Sequence, residues 1–295
     1  MVISIDDILT YKNYPLSSIQ DKPVIEIKNK VIKVSLIMSM LLQVFITKAQ
    51  VNESDTSKFQ LRASLTGNYQ SGNVEVLNIK GKIDFSFSLA KNWVFKSQNS
   101  SLYQVYNSVA ADKDISSRNY LYYKPNNKIY PFAIAYISTN YRRKIDTRYF
   151  VGSGATWQAI NGINAVLKMS VSVVYESTKF NADNYNYSAY DGANKINIWR
   201  GTLYAGGWKY LLDKHIRFYY DAFWQPAFND DSSFRTQIDI GADFPVWKGL
   251  LFNSSFTYTH ENVVVKRIKQ DDNIVTFGLA YNFRIVKNRN AYIRM

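Results

Sequence analysis

Apolar and polar residues alternate along this chain with a period of two. Phe59 to Tyr69 reads Phe-Gln-Leu-Arg-Ala-Ser-Leu-Thr-Gly-Asn-Tyr, with apolar or small residues at odd positions and polar ones at even positions. Turn chemistry follows at Ser71-Gly72-Asn73. The alternation then resumes, with Leu77, Ile79, Ile83, Phe85, Phe87 and Leu89 on one face and Asn78, Lys80, Lys82, Asp84, Ser86 and Ser88 on the other. Successive strand side chains point to opposite faces, so the pattern predicts two long strands, each with one greasy and one wet side. Soluble strands usually run about five or six residues. These are long enough for a tilted strand to cross a bilayer, which takes about 9–11. The prediction is an all-β fold: a transmembrane, antiparallel, up-and-down β-barrel with its apolar face to lipid and its polar face inward.

Alternation and turn signals place about twelve strands in the barrel region 58–283, at 58–70, 74–89, 93–106, 118–124, 129–141, 148–160, 165–177, 196–211, 215–226, 233–244, 250–260 and 273–283. One set of connections is short (90–92, 125–127, 161–164, 212–214, 245–249). The other set is expected to be mostly longer (107–117, 142–147, 178–195, 227–232, 261–272), with 71–73 as its short exception. Outer-membrane barrels have short periplasmic turns and longer extracellular loops, and an even strand count returns both ends of the barrel to the periplasm. Trp93, Trp208 and Trp247 beside the short turns, and Tyr103, Tyr106, Tyr120, Tyr122 and Tyr141 toward the longer loops, read as two aromatic belts at headgroup level.

Before the barrel, residues 28–49 read as a signal peptide. Lys28, Lys30 and Lys33 form a basic start, Val34 to Ile46 an apolar stretch, and Thr47-Lys48-Ala49 a small-residue cleavage site. That apolar run is short for a membrane helix, which needs about 18 residues. Residues 1–27 carry Asp6, Asp7, Asp21 and Glu26 and do not fit such a leader. They read either as an over-called start, with Val31 as the true one, or as a short extension removed with the leader. Residues 50–57 read as a periplasmic lead-in and 284–295 as a periplasmic tail. The segment Phe277 to Phe283 alternates and closes on an aromatic, which looks like the signal read by barrel-assembly machinery, although a tail follows it.

Composition narrows the classes. There is no cysteine, so disulfides, thiolate metal sites and a Cys nucleophile are excluded. A mean hydropathy of −0.25 is too polar for a helical membrane protein and ordinary for a barrel with a hydrophilic interior. The net charge is +13, but Lys and Arg are spread among alternating strands, without the clustered footprint that nucleic-acid binding leaves. The charges are instead expected to line a lumen or rim a surface of anionic lipid.

Leu61 to Asn73, with the strand beginning near Val74, resembles the opening of the YdiY-like family. The resemblance continues through Asn119-Tyr120, Phe132 to Tyr141 and Tyr149 to Gly154. Members of that family are described as salt-induced outer-membrane proteins and catalogued as a domain of unknown function. The resemblance implies an outer-membrane β-barrel in a diderm bacterium and a link to osmotic or salt stress. It implies no catalytic residues.

Candidate chemistry is sparse. His215 and His260 each lack a second His or a Cys nearby, so no metal site is predicted. A barrel lipid hydrolase needs Ser, His and Asn together. His260 has Asn262 nearby, but Tyr258 stands where the Ser is needed, so the protein is read as a non-enzyme with no cofactor. Gly152-Ser153-Gly154 and Gly206-Gly207 lack the strand-to-helix setting of phosphate loops and read as sites of close side-chain approach. Asp230-Asp231 and Asp271-Asp272 are candidate cation sites at the outer rim or simply solvated loops. The stretch Asn181 to Asn194 binds a carbohydrate or covers the mouth. The lumen-lining residues expected by parity are Arg62, Lys80, Lys82, Asp84, Lys96, Lys168, Glu176, Arg235, Asp239 and Asp243, with Gln60, Gln98 and Gln237 among them. Six of these are basic and four acidic, which predicts a mild anion preference if a path is open. The reading is a monomeric barrel in contact with outer-membrane lipid, serving as a narrow channel or solute-handling protein for small solutes. A structural or adhesive role through the loops is the alternative. A side-chain-filled interior that only stabilises the barrel is the competing reading of the lumen.

Overall fold

The computed structural model describes residues 51–55, 57–71, 75–228 and 233–285. The predicted signal peptide, residues 1–27, Gly72-Asn73, Asp230-Asp231 and the tail beyond Ile285 lie outside the described residues. Twelve strands follow one another: β1 Phe59–Gln70, β2 Val76–Ala90, β3 Trp93–Tyr106, β4 Val109–Tyr123, β5 Ile129–Asn140, β6 Ile145–Asn161, β7 Ala165–Phe180, β8 Lys195–Leu211, β9 Ile216–Pro226, β10 Phe234–Trp247, β11 Leu250–Glu261 and β12 Asp271–Ile285. Each pairs antiparallel with its chain neighbours, and β1 pairs with β12, so the sheet closes into an up-and-down barrel with no free edge. The closing seam runs from Phe59 opposite Ile285 to Gly67 opposite Phe277. No described helix is long and apolar enough to cross a membrane.

Parity sorts the side chains. Leu65, Ile83, Val171, Phe277 and Leu279 point outward and stay exposed, at 64, 52, 57, 48 and 53%. Water-soluble monomers rarely expose apolar patches beyond a few hundred Å². A continuous outward band of this kind fits a surface that a bilayer covers. The inward positions are mainly polar, charged or aromatic, with a few aliphatics such as Leu102, Val174 and Leu251, and most are buried or half-buried.

The barrel has a turn end, where β1 begins and β12 ends, and a loop end. Two predictions about the loop end need correction. Residues 107–117 are not a loop: Asn107-Ser108 make a tight turn at φ 44° and 64°, and β4 begins at Val109. Likewise the connection expected at 142–147 shrinks to 141–144 before β6. In the first stretch Asp112-Lys113-Asp114 are charged on successive residues, which erases the alternation that reveals a strand; in the second a register shift between Ile145 and Thr147 interrupts it. Long connections at this end are therefore 181–194, 227–233 and 262–270.

The belts also need revision. Tyr103, Tyr106 and Tyr141 are exposed at the loop end, and Trp93 and Trp247 are exposed at the turn end. Tyr120 and Tyr122, however, lie in the turn-end half of β4 and face the lumen, stacked at 5.4 Å. Trp208 also faces inward and packs with Val166 and Tyr210. Because β4 descends from the loop end, its last residues sit opposite the position that the missed strand start had suggested.

Candidate functional site

Inside the barrel lies a cavity of about 230 Å³, bounded above and below by polar groups. The lower seal is the lead-in. Residues 51–55 do not merely precede β1; they turn into the turn end of the lumen, where Val51 and Glu53 are each 4% exposed. Glu53 accepts hydrogen bonds from Lys168 (2.7 Å, β7), Lys96 (3.2 Å, β3) and the Tyr130 hydroxyl (2.8 Å, β5). Asn52 exchanges two hydrogen bonds with Gln60, at 2.8 and 3.0 Å. Lys168 also donates to Ser54. Burial alone would raise the Glu53 carboxyl, but Lys168 and Lys96 outweigh it and hold it well below the ordinary carboxylate range.

Beside this seal Asp243 accepts from Arg62 (2.9 Å) and from Arg217, with Asn253 donating at 2.6 Å. The register sets Arg62 directly opposite Asp84, yet Arg62 reaches past it to Asp243. The tyrosine rings here need room. A side-chain carbon at Gly241 would collide with the Tyr219 ring, and one at Gly206 with Tyr204, whose hydroxyl donates to Asp221 at 2.5 Å.

The upper seal is a five-residue ion network spanning the lumen. Arg148 of β6 grips Glu261 of β11 bidentately, at 2.7 and 2.9 Å. Glu176 of β7 receives Arg235 of β10 at 2.6 Å and Arg200 of β8 at 3.3 Å. Above it, a pocket of only about 20 Å³ remains. The stretch 181–194 meets the 262–270 loop: Asn186 and Val264 exchange bonds, and Tyr185 packs with Ile145, Phe180 and Val265. This packing places Asn181 to Asn194 against the 262–270 loop, as the covering reading expects.

The expected inward residues thus fall into four groups. Lys96 and Lys168 join the lower seal, Arg62 and Asp243 the ion cluster beside it, and Glu176 and Arg235 the upper network. Lys80, Lys82, Asp84 and Asp239 line the cavity between, with Lys80 donating to Thr257, which in turn donates to Asp239. Sequence reasoning did not single out Arg118, Arg148, Arg200, Arg217, Asp221 and Glu261, although the same period-two count on their strands marks each as inward. It gave no signal for Glu53, which lies in a segment without periodicity.

Other candidates do not assemble. His260 contacts Asp271 at 2.8 Å, while the Asn262 side chain accepts from the Phe234 amide at 2.6 Å, so the two are committed apart. Asp271 and Asp272 alternate in side along β12: Asp272 is held by Arg143 at 2.7 Å, whereas Asp271 binds His260 and Tyr258. They are not a joint cation site. Among the described residues no group of three or more potential metal ligands occurs.

A family profile described as "Protein of unknown function, DUF481" matches residues 63–283. Among solved structures, the NanC porin is 11% identical, covering 76% of this chain and 98% of its own, at a TM-score of 0.46. The translocator domain of the autotransporter NalP from Neisseria meningitidis is 9% identical, with coverages of 89% and 98% and a TM-score of 0.40. An outer membrane channel from Pseudomonas putida F1 is 9% identical, with coverages of 82% and 100% and a TM-score of 0.42. No curated protein matches the chain.

Proposed function

The chain belongs to the DUF481 family of proteins of unknown function, and from that premise we propose that it is an outer-membrane barrel that admits small solutes to a polar compartment bounded at both ends by ion networks. The turn end then faces the periplasm and the loop end the exterior, as the short and long connections require. The observation that carries the reading is the cavity of about 230 Å³ left between two seals. A barrel stabilised only by its filling needs no such compartment. Twelve strands also fall between small side-chain-filled barrels and wide water-filled ones. The YdiY-like resemblance of Leu61 to Asn73 supports a finer role in osmotic or salt stress.

Seven basic and four acidic side chains line the cavity, so conduction during openings is expected to favour anions. Reversal potentials in a salt gradient across planar bilayers test this. The preference should weaken toward 1 M salt, where the Debye length is about 3 Å. It should fall or reverse in Lys80→Glu/Lys82→Glu. Cation preference in the native protein contradicts the reading.

A further inference from the structure

One arginine in the lumen differs from the rest. Arg62, Arg148, Arg200, Arg217 and Arg235 each reach a carboxylate within 4 Å. Arg118, on β4 at the middle of the barrel, has no hydrogen-bond or ion-pair partner among the described residues. Its guanidinium carbon instead lies 4.4 Å from the centroid of the Phe223 ring and 5.4 Å from that of Tyr136. Packing of this kind engages the flat faces of the guanidinium and leaves its in-plane N–H donors available. Arg118 points inward and lines the cavity, so what exposure it retains is to that compartment. The carboxylates of Asp221 and Asp239 act on this charge through the lumen without accepting from its N–H donors, so those donors remain open to an oxyanion in the cavity.

The surroundings restrict the oxyanion. Lys82, another cavity cation, lies on the same wall: Arg118 faces Gln98, Gln98 faces Asp84, and Lys82 is the next inward residue on β2. Asp84, Asp221 and Asp239 also line the cavity and repel multiply charged anions. On the Arg118 side the wall is aromatic, from Tyr120, Phe132, Tyr136, Phe150 and Phe223. The volume is below the roughly 300–1,000 Å³ typical of pockets for drug-sized ligands.

We propose that the cavity is a binding site for a small organic monocarboxylate with a ring-sized apolar body, whose carboxylate is held by the in-plane N–H donors of Arg118 and whose ring lies against the aromatic wall. The site rests on the reading of the lumen as a solute compartment and adds the class of solute.

Equilibrium dialysis of the full-length, detergent-solubilised protein against labelled benzoate tests it, with benzyl alcohol and benzylammonium as uncharged and cationic controls. Benzoate should bind at about one per chain and more tightly than either control. Arg118→Gln should weaken benzoate at least about tenfold while leaving benzyl alcohol unchanged, since a charge-assisted bond is lost. Arg118→Lys should restore part of the loss, and Lys82→Gln should weaken benzoate by a smaller factor. Heat-modifiable migration on gels establishes that each variant is folded. If Arg118→Gln does not fold, the Lys82→Gln result and the ranking of the three probes on the native protein decide. Absence of benzoate binding, equal affinity for all three probes, or full binding in a folded Arg118→Gln variant overturns the site. Conductance recorded on the same preparations separates the two ideas. Openings without benzoate binding defeat the site alone, and benzoate binding to a barrel that never conducts defeats the passage reading alone.

Discussion

Asp243 is fully buried and is the shared acceptor of Arg62, Arg217 and Asn253. Truncating it removes the carboxylate that two lumenal guanidiniums share. Breaking a buried pair from one side typically costs about 3–5 kcal/mol. Asp243→Ala should therefore lower stability by about that amount, measured by urea unfolding in lipid vesicles. The outward wall obeys the opposite rule. Ile238 faces the bilayer and Asp239, its neighbour, faces the lumen, where Gln237 and Thr257 donate to it. Arg at a midplane lipid-facing position costs about 2–4 kcal/mol, so Ile238→Arg should be strongly destabilising in the same assay. Asp239→Asn keeps an acceptor for Thr257 but loses the one for Gln237, and should cost less than Ile238→Arg. If the two substitutions exchanged effects, the assignment of faces on β10 would be inverted.

At the scale of elements, the lead-in is held by Glu53, and its pH response follows from sign. The Glu53 carboxyl sits below its ordinary value of 4.5 when the segment is docked. Its ionised form therefore favours docking at any pH above that value, and the contribution is lost only as pH falls through the lowered one. Conductance should stay flat from neutral pH down to about the ordinary carboxylate range and rise only in stronger acid. A rise centred near neutral pH would mean that another group controls closure. At the opposite end, Tyr185→Ala removes the ring that packs on Ile145, Phe180 and Val265. The stretch 181–194 should then be cut faster by protease added to the outside of cells or vesicles, with the barrel itself intact.

The strands were mostly legible in the sequence because a lipid-facing position must be apolar at every second residue. The same rule explains the failure at β4. Above the apolar band an outward residue such as Lys113 is free to be charged, so the outer part of that strand carries no alternation. Parity exposed which residues face inward, including the positions of Lys82, Asp84 and Asp239. It did not reveal which partners they take, because pairing crosses the lumen between strands far apart in the chain, as Arg62 does in reaching Asp243 rather than Asp84. Nor did any period mark Glu53, since a segment lying in a lumen has neither a lipid face nor a sheet partner to impose one.

At the scale of the whole molecule, one closed sheet separates an apolar exterior from an interior in which charges of both signs are arranged in layers. The Arg148–Glu176–Arg200–Arg235–Glu261 network lies above, the Glu53 seal below, and the Arg118 cavity between them. The upper layer is made of side chains on the strands themselves, around which a narrow space of about 20 Å³ remains, whereas the lower one is a short segment outside the barrel wall. The lower layer is therefore the one that can leave without unfolding the sheet. Single-channel recording of the native protein and Glu53→Gln in planar bilayers is the decisive measurement. The native barrel should be closed for most of the record with brief openings, and Glu53→Gln, lacking the charge that Lys96 and Lys168 hold, should stay open longer at the same unit conductance. A native barrel that conducts continuously, with openings indistinguishable from those of Glu53→Gln, would contradict this role of the lower layer.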